Sequence, residues 1–195
     1  RNLLPYLSAV ENVELPMSLG GGSARHNRLR ATELLEQVGL ADRAGHRPEQ
    51  LSGGEQQRVA IAVAMANDPP VLFADEPTGE LDTGTAGEVF ELLRQINQVR
   101  GVTIVVVTHD PLVADHVDRT VAIRDGRTSS EVLRRTELDE SGSHRVIAEE
   151  FAVLDRVGRL QLPHDYVEAL ELEKRVRLTL DEDHINVWPD ENGDS

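Results

Sequence analysis

Two short apolar runs in this 195-residue chain end in side chains that could do chemistry. VLFADEP places Asp75 and Glu76 after one run, and VVVTHD places His109 after the next. Such runs are typical of strands buried on both faces of a parallel sheet, and the carboxyl ends of these strands bind ligands in open α/β folds. Neighbouring strand residues point to opposite faces, so we expect Asp75 to hold Mg²⁺ and Glu76 to be the general base for an attacking water.

His109 is open to two interpretations. A lone histidine is more often structural than catalytic. Its position at the end of the strand after the acidic one favours a catalytic role, in which a neutral imidazole hydrogen-bonds a γ-phosphate and the attacking water. The sequence therefore makes His109 a candidate partner of Glu76.

The stretch LSGGE, residues 51–55, also has two interpretations. Ser52 and Glu55 match a capping box at the start of a helix. The same helix start would present free backbone N–H groups to a phosphate. Capping does not explain Gly53 and Gly54, because a glycine in a helix costs up to about 1 kcal/mol relative to alanine. The two glycines suggest a ligand that approaches the backbone closely.

The pattern around these residues predicts the elements that position them. Helices are expected at 28–40, 52–66 and 85–100, strands at 71–74 and 102–108, and a strand followed by a turn at 120–127. An alternation of strand and helix implies an α/β domain with a mainly parallel sheet.

The chain is expected to divide into an α/β domain and a smaller unit. We expect the domain at 1–127, a linker or loosely packed helix at 128–150, a small β-rich unit at 151–190 and a tail at 191–195.

Composition narrows the classes of partner. The net charge of −15 argues against broad binding to nucleic acid or anionic lipid. There is no cysteine, which excludes disulfides and cysteine-based zinc sites. No apolar run reaches the roughly 18 residues of a membrane-spanning helix.

Four motifs in order carry a resemblance to a known family. LSGGEQQRVAIAVAMA, VLFADEP, GELD and THD resemble the signature motif, Walker B strand, D-loop and switch histidine of ABC transporter ATP-binding subunits. The flanks NLLPYLSAVENVELPM and HRPEQLSGGEQQRVAIA are similar to the lipoprotein-releasing, macrolide-export and cell-division ATPases. The resemblance covers roughly residues 1 to 127. It implies the C-terminal part of a P-loop NTPase domain, with a helical subdomain.

The resemblance also implies roles for the motif residues. Asp75 would position Mg²⁺, Glu76 would polarise the hydrolytic water and His109 would be the switch histidine. Ser52, Gly53 and Gly54 would contact the γ-phosphate of ATP held by the opposite subunit. Glu55 and Asp82 are assigned to the same nucleotide site, and Asp82 would communicate across the dimer interface.

The implied partners are a membrane permease and a second ATPase subunit, with no nucleic acid. Residues 3–16 would lie beside the coupling helix of the permease. The protein would then be peripheral to the cytoplasmic face of the membrane.

A phosphate-binding loop is missing from this sequence. GxxxxGK[ST] does not occur, and the only lysine, Lys174, lies in the C-terminal β-rich unit expected at 151–190. That loop supplies most contacts to the β- and γ-phosphates in P-loop NTPases. We therefore expect a chain without the first part of its nucleotide domain, unable by itself to bind ATP tightly or hydrolyse it.

The C-terminal segment LDRVGRLQLPHDYVEALELEKRVRLTLDEDHINVWP resembles one swapped-hairpin unit of the AbrB-like regulators. The residues that fit the pattern are Asp155, Gly158, Arg159, Leu160, Leu162 and Pro163. Residues 128–195 carry 8 basic and 17 acidic residues, a net charge of −9. Backbone phosphate contacts need the opposite balance, so dimerisation or regulation is favoured over DNA binding, and a β-appendage without a partner stays an alternative.

Two other functions are alternatives to that of a transport ATPase. One is a non-hydrolytic regulator that acts through the AbrB-like unit. The other, an ABC-type DNA-repair ATPase, is disfavoured because the sequence has no cysteine and no long coiled-coil insertion.

Overall fold

The computed structural model describes residues 3–124, 127–138, 144–154, 157–172 and 176–189. The chain divides into two compact units, Arg1–His116 and Val117–Ser195. The first unit ends eleven residues before the domain boundary expected from the sequence.

The first unit contains four α-helices. They are α1 (Ala9–Leu19), α2 (Ala24–Gln37), α3 (Gly53–Ala64) and α4 (Thr83–Arg100). Short 3-10 turns lie at Ala41–Arg43, Pro48–Gln50 and Pro111–His116. α4 ends at Gly101, which has the left-handed φ of 66° that glycine adopts without steric cost. None of the described helices has the length and apolar character needed to cross a bilayer.

A two-stranded parallel sheet completes the first unit. β1 (Val71–Asp75) pairs with β2 (Thr103–Val107), and the register runs from Val71 opposite Thr103 to Asp75 opposite Val107. The helices cover one face of this sheet, where Leu72 is buried. The expectation that these strands are buried on both faces is wrong, because Phe73 on the other face is 77% exposed.

The core of the first unit lies among its helices. Apolar side chains from all four helices pack together with Leu72 of β1 and Val102, just before β2. The largest fully buried side chains are Val10, Val13, Leu34, Leu35, Val59, Met65 and Val89. This core holds the start of α3 and the end of β1 in fixed positions.

The second unit consists mainly of antiparallel strands. β3 (Arg119–Arg124), β4 (Arg127–Leu138) and β5 (His144–Ala152) form one sheet in that order. A short helix, α5 (His164–Ala169), precedes the hairpin of β6 (Val176–Leu180) and β7 (Ile185–Pro189). Gly158 of the AbrB-like pattern has a φ of 80°, and Asp155 of that pattern lies outside the described residues.

The linker predicted at 128–150 is wrong, because most of this segment forms β4 and β5. Nine residue pairs join the two strands, from Ser130 opposite Ala152 to Leu138 opposite His144. The third strand expected from the sequence also differs, since β3 pairs antiparallel with β4. Local sequence pattern does not reveal such pairings, because they depend on contacts between distant residues.

Candidate active site

Glu76 lies immediately after β1, where the backbone changes direction. Its φ of 44° is in the left-handed region, which is uncommon for a residue other than glycine. Its N–H donates to the carbonyl of Val107 at 2.8 Å, which extends the pairing of β1 with β2 by one residue. Non-glycine residues in this conformation often occur at functional sites, where the surrounding structure holds them in place.

The carboxylate of Glu76 is bound by the loop that follows β2. The Thr108 hydroxyl donates to Oε2 at 2.8 Å. Oε1 accepts from the backbone N–H of His109 at 3.1 Å and lies 2.6 Å from Nδ1 of its ring. The structure therefore brings together the two candidate catalytic residues, 33 positions apart in the sequence.

The pairing shifts the pKa of each partner. Hydrogen bonds from the His109 ring and then from Thr108 lower the pKa of Glu76. The hydrogen bond to Glu76, and then its charge, raise the pKa of His109 above its ordinary value of 6.5. Any stabilisation of the folded state by this pair is lost as the pH rises through the raised pKa of His109. It is also lost as the pH falls through the lowered pKa of Glu76.

Asp75 is the last residue of β1 and is exposed on the open face of the sheet. Magnesium is usually held by one or two carboxylates together with substrate phosphates and water, so a single exposed carboxylate fits that chemistry. No group of three or more His, Asp or Glu side chains in the described ranges forms a cage for a metal. Asp75 fits a magnesium ion that arrives with a nucleotide.

Ser52 and Glu55 form the predicted capping box at the start of α3. The N–H of Ser52 donates to Oε2 of Glu55 at 2.7 Å, and the N–H of Glu55 donates to Oγ of Ser52 at 3.2 Å. The backbone hydrogen bond from Ser52 is the main cause of the lowered pKa of Glu55. Nε of Arg43 also donates to Oε1 of Glu55 at 3.3 Å, tying the 3-10 turn before α3 to the same carboxylate.

The two glycines of α3 pack against the start of α4 and the loop before it. A Cβ on Gly53 would lie 3.3 Å from Cδ2 of Leu81, and a Cβ on Gly54 would overlap Cγ2 of Thr85. Gly54 is buried. Close packing within the chain is thus a second reason for these glycines, besides the approach of a ligand.

Asp82 caps the N-terminus of α4. Its Oδ1 accepts from the N–H of Thr85 at 3.0 Å, and its Oδ2 accepts from the Thr85 hydroxyl at 2.6 Å. The hydroxyl contact is the main cause of the lowered pKa of Asp82. Thr85 therefore touches both the cap of α4 and the glycine of α3.

A cleft of about 690 Å³ brings several of these residues to one place. Gly53 of α3 lines it together with Asp75, Glu76 and His109. The other residues singled out from the sequence, Ser52, Gly54, Glu55 and Asp82, do not line this cleft.

Comparisons with known proteins find similarity to ABC transporter ATP-binding proteins. A family model described as "ABC transporter" matches residues 1–79. An uncharacterized ABC transporter ATP-binding protein of Thermotoga maritima is 59% identical over 126 residues, which make up 65% of this chain and 53% of that protein. The lipoprotein-releasing system ATP-binding protein LolD 2 of Caulobacter vibrioides is 52% identical over 125 residues, 64% of this chain and 55% of that protein.

The fold is similar to a dimeric structure of MJ0796, a bacterial ABC transporter cassette. The TM-score is 0.58 at 48% identity, over 67% of this chain and 58% of that chain. The similarity to ABC transporter proteins covers residues 1–79 in the family model and 67% of this chain in the solved cassette. The chain spans about half the length of the ATP-binding relatives that it matches. The fold class predicted from the sequence, an ABC-type P-loop NTPase domain, is confirmed.

Two threonines that contact the candidate site residues were not singled out from the sequence. Thr108 donates to the carboxylate of Glu76, and Thr85 joins the cap of α4 to Gly54. The only sequence signal for Thr108 was its position directly before His109. Thr85 stands three residues after Asp82, the spacing of a residue whose N–H meets an N-cap side chain.

Replacing Glu76 by Gln should lower the pKa of His109 towards 6.5, since the substitution removes the carboxylate charge beside Nδ1. The pKa is measured by NMR titration of the His109 ring in the 195-residue chain. Glu80→Gln is the matched control, because Glu80 lines the same cleft but is not a cause of the His109 shift. An unchanged His109 pKa in Glu76→Gln would show that the two side chains do not pair in solution.

Replacing Gly54 by Ala should destabilise the chain by about 1–3 kcal/mol, because the new Cβ overlaps Cγ2 of Thr85. Thr85→Ser removes that methyl group and keeps the hydroxyl that caps α4. In the Thr85→Ser background, Gly54→Ala should therefore be neutral or stabilising by up to about 1 kcal/mol, since alanine is the better helix former.

Urea unfolding of the four proteins in this double-mutant cycle measures the coupling. Equal destabilisation by Gly54→Ala in both backgrounds would refute the packing explanation for Gly54.

Proposed function

We propose that this chain contributes the water-activating residues and the signature helix of an ATP-hydrolysing ABC transporter subunit. The observation that carries the proposal is the carboxylate of Glu76 held against Thr108 and His109 at the carboxyl ends of β1 and β2. Ligands of open α/β sheets bind at that edge. The relatives named as ABC transporter ATP-binding proteins support the same activity.

In this proposal each residue around the cleft has a separate role in ATP hydrolysis. Asp75 would hold Mg²⁺, which when bound neutralises charge on the phosphates of ATP. Glu76, kept ionised by its lowered pKa, would accept a hydrogen bond from the attacking water. His109 would hydrogen-bond the γ-phosphate and hold Glu76 through Nδ1.

The start of α3 would bind the nucleotide that is held by an opposing ATPase subunit. Ser52, Gly53 and Gly54 form a helix N-terminus, where the helix dipole and free N–H groups favour phosphate. Glu55 would hold Ser52 in place through the capping box, and Asp82 would communicate across the dimer interface. The dimeric form of MJ0796, a similar cassette, supports such a pairing.

The membrane partner would be a permease. We propose that residues 3–16 contact it, and that the subunit lies on the cytoplasmic face of the membrane. Within this segment the Asn12 side chain hydrogen-bonds the backbone of Leu4 at 2.8 Å through Oδ1, and of Leu7 and Ser8 through Nδ2. These bonds hold a loop in which Tyr6 is 67% exposed and accessible to a partner.

The proposed chemistry is tested by hydrolysis of ATP. No phosphate-binding loop occurs in the sequence, so the chain is joined to the phosphate-loop part of a related cassette. We expect hydrolysis by this fusion and a loss of about 10²–10⁴-fold in kcat for Glu76→Gln, because a general base contributes that much. Glu80→Gln is the control for a charge change in the same cleft. A folded fusion without ATPase activity, or Glu76→Gln at the wild-type rate, would refute the proposal.

A second function, dimerisation through the C-terminal unit, is favoured by the β6–β7 hairpin. Directly opposed residues of an antiparallel pair share a face. Val176 opposite Pro189, Leu178 opposite Val187 and Leu180 opposite Ile185 make one face wholly apolar. Leu178 is 63% exposed and Leu180 79%, and no residue of 117–189 whose side chain the structure describes is buried. We propose that a second copy covers this face in an AbrB-like dimer, so that the unit acts as a dimerisation or regulatory module.

Sedimentation velocity of the 195-residue chain tests this dimer. Leu178→Glu should abolish self-association, whereas Thr179→Glu, the same charge on the opposite face, should preserve it. Added salt should strengthen association, because residues 128–195 carry a net charge of −9 and the two copies repel. Binding to DNA would weaken with salt instead. A wild-type chain that stays monomeric at every concentration would exclude the dimer.

A further inference from the structure

Thr108 holds the oxygen of Glu76 that His109 does not touch. Both contacts from His109 go to Oε1 of the carboxylate, one from the backbone N–H and one from the ring. Oε2 accepts from the Thr108 hydroxyl at 2.8 Å, its only hydrogen bond among the described residues. The carboxylate is therefore held at two points, and Thr108 supplies the second.

The direction of this hydrogen bond follows from the other contact of the hydroxyl. The N–H of Asp110 donates to Oγ1 of Thr108 at 3.1 Å, so the oxygen of Thr108 acts as the acceptor there. A hydroxyl has one proton to donate. An ionised carboxylate only accepts, so that proton lies towards Glu76.

We infer that Thr108 is a positioning residue for Glu76, orienting the plane of its carboxylate towards the cleft. This inference rests on the proposed role of Glu76 as the general base. With Oε1 alone held, the carboxylate can rotate about its Cγ–Cδ bond. With Oε2 also held, one orientation is selected before a substrate arrives, and such preorganisation requires a rigid supporting contact.

Three variants of the 195-residue chain test the inference by NMR at one fixed pH, with the ¹⁵N resonance of Nδ1 in the His109 ring as the signal. Glu76→Ala defines the resonance of His109 without its carboxylate. Thr108→Val removes the hydroxyl at nearly constant volume, and Thr108→Ser keeps the hydroxyl while removing the methyl group. In Thr108→Val we expect the ¹⁵N chemical shift of His109 Nδ1 to move at least halfway from its wild-type value to its value in Glu76→Ala. In Thr108→Ser we expect this chemical shift to keep its wild-type value.

A purely structural role for Thr108 would predict a different pattern, because the hydroxyl would then have no particular effect on His109. If Thr108→Val keeps the wild-type resonance while Glu76→Ala moves it, the inference is wrong. If Glu76→Ala does not move it, the pairing itself is absent and the inference fails as well. Thr108→Ala replaces the valine variant if that variant does not fold, with the same expected shift.

This test involves no nucleotide. A fusion that fails to hydrolyse ATP would remove the proposed role of Glu76 and leave the NMR result on Thr108 unaffected. The two failures are therefore distinguishable.

Discussion

The parallel pairing of β1 with β2 is the constraint on which the candidate site depends. It places Asp75 opposite Val107, and the N–H of Glu76 continues the ladder to the Val107 carbonyl. The left-handed backbone of Glu76 then directs its carboxylate to the loop after β2. A slip of one residue in this register would turn every strand side chain to the other face and separate Glu76 from His109.

A second constraint is the close contact between α3 and α4. Gly54 leaves no space for a side chain beside Thr85, and Thr85 in turn binds the carboxylate that caps α4. The start of α3 and the N-cap of α4 are thus in direct contact. A movement of Asp82 would be transmitted to the start of α3, because packed interfaces of this kind transmit strain.

Much of the site could be predicted from local sequence. The capping box at Ser52 and Glu55 and the helix that follows it depend on residues three positions apart, so their pattern is visible in the sequence. The apolar runs before Asp75 and His109 predicted two strands for the same reason. Their parallel pairing followed from the strand–helix–strand order.

The remaining features depend on contacts between distant residues. The apolar run of β1 reads as a strand buried on both faces, yet Phe73 is exposed because the helices of the first unit cover only one face of the sheet. The charged segment of β4 and β5 reads as a linker, since its structure comes from pairing between the two strands. Thr108 could not be selected from its sequence because its role follows from the backbone conformation of Glu76, 32 residues away.

Our central proposal is that Glu76 is a water-activating carboxylate and α3 a signature helix, in a sequence that contains no phosphate-binding loop. The most direct test is the steady-state rate of ATP hydrolysis by the 195-residue chain alone, compared with its Glu76→Gln variant. The account predicts that the two rates are equal and at the level of buffer. A wild-type rate above that of Glu76→Gln, and lost on substitution of Ser52, would contradict it, because the chain would then complete an ATPase site without a phosphate loop.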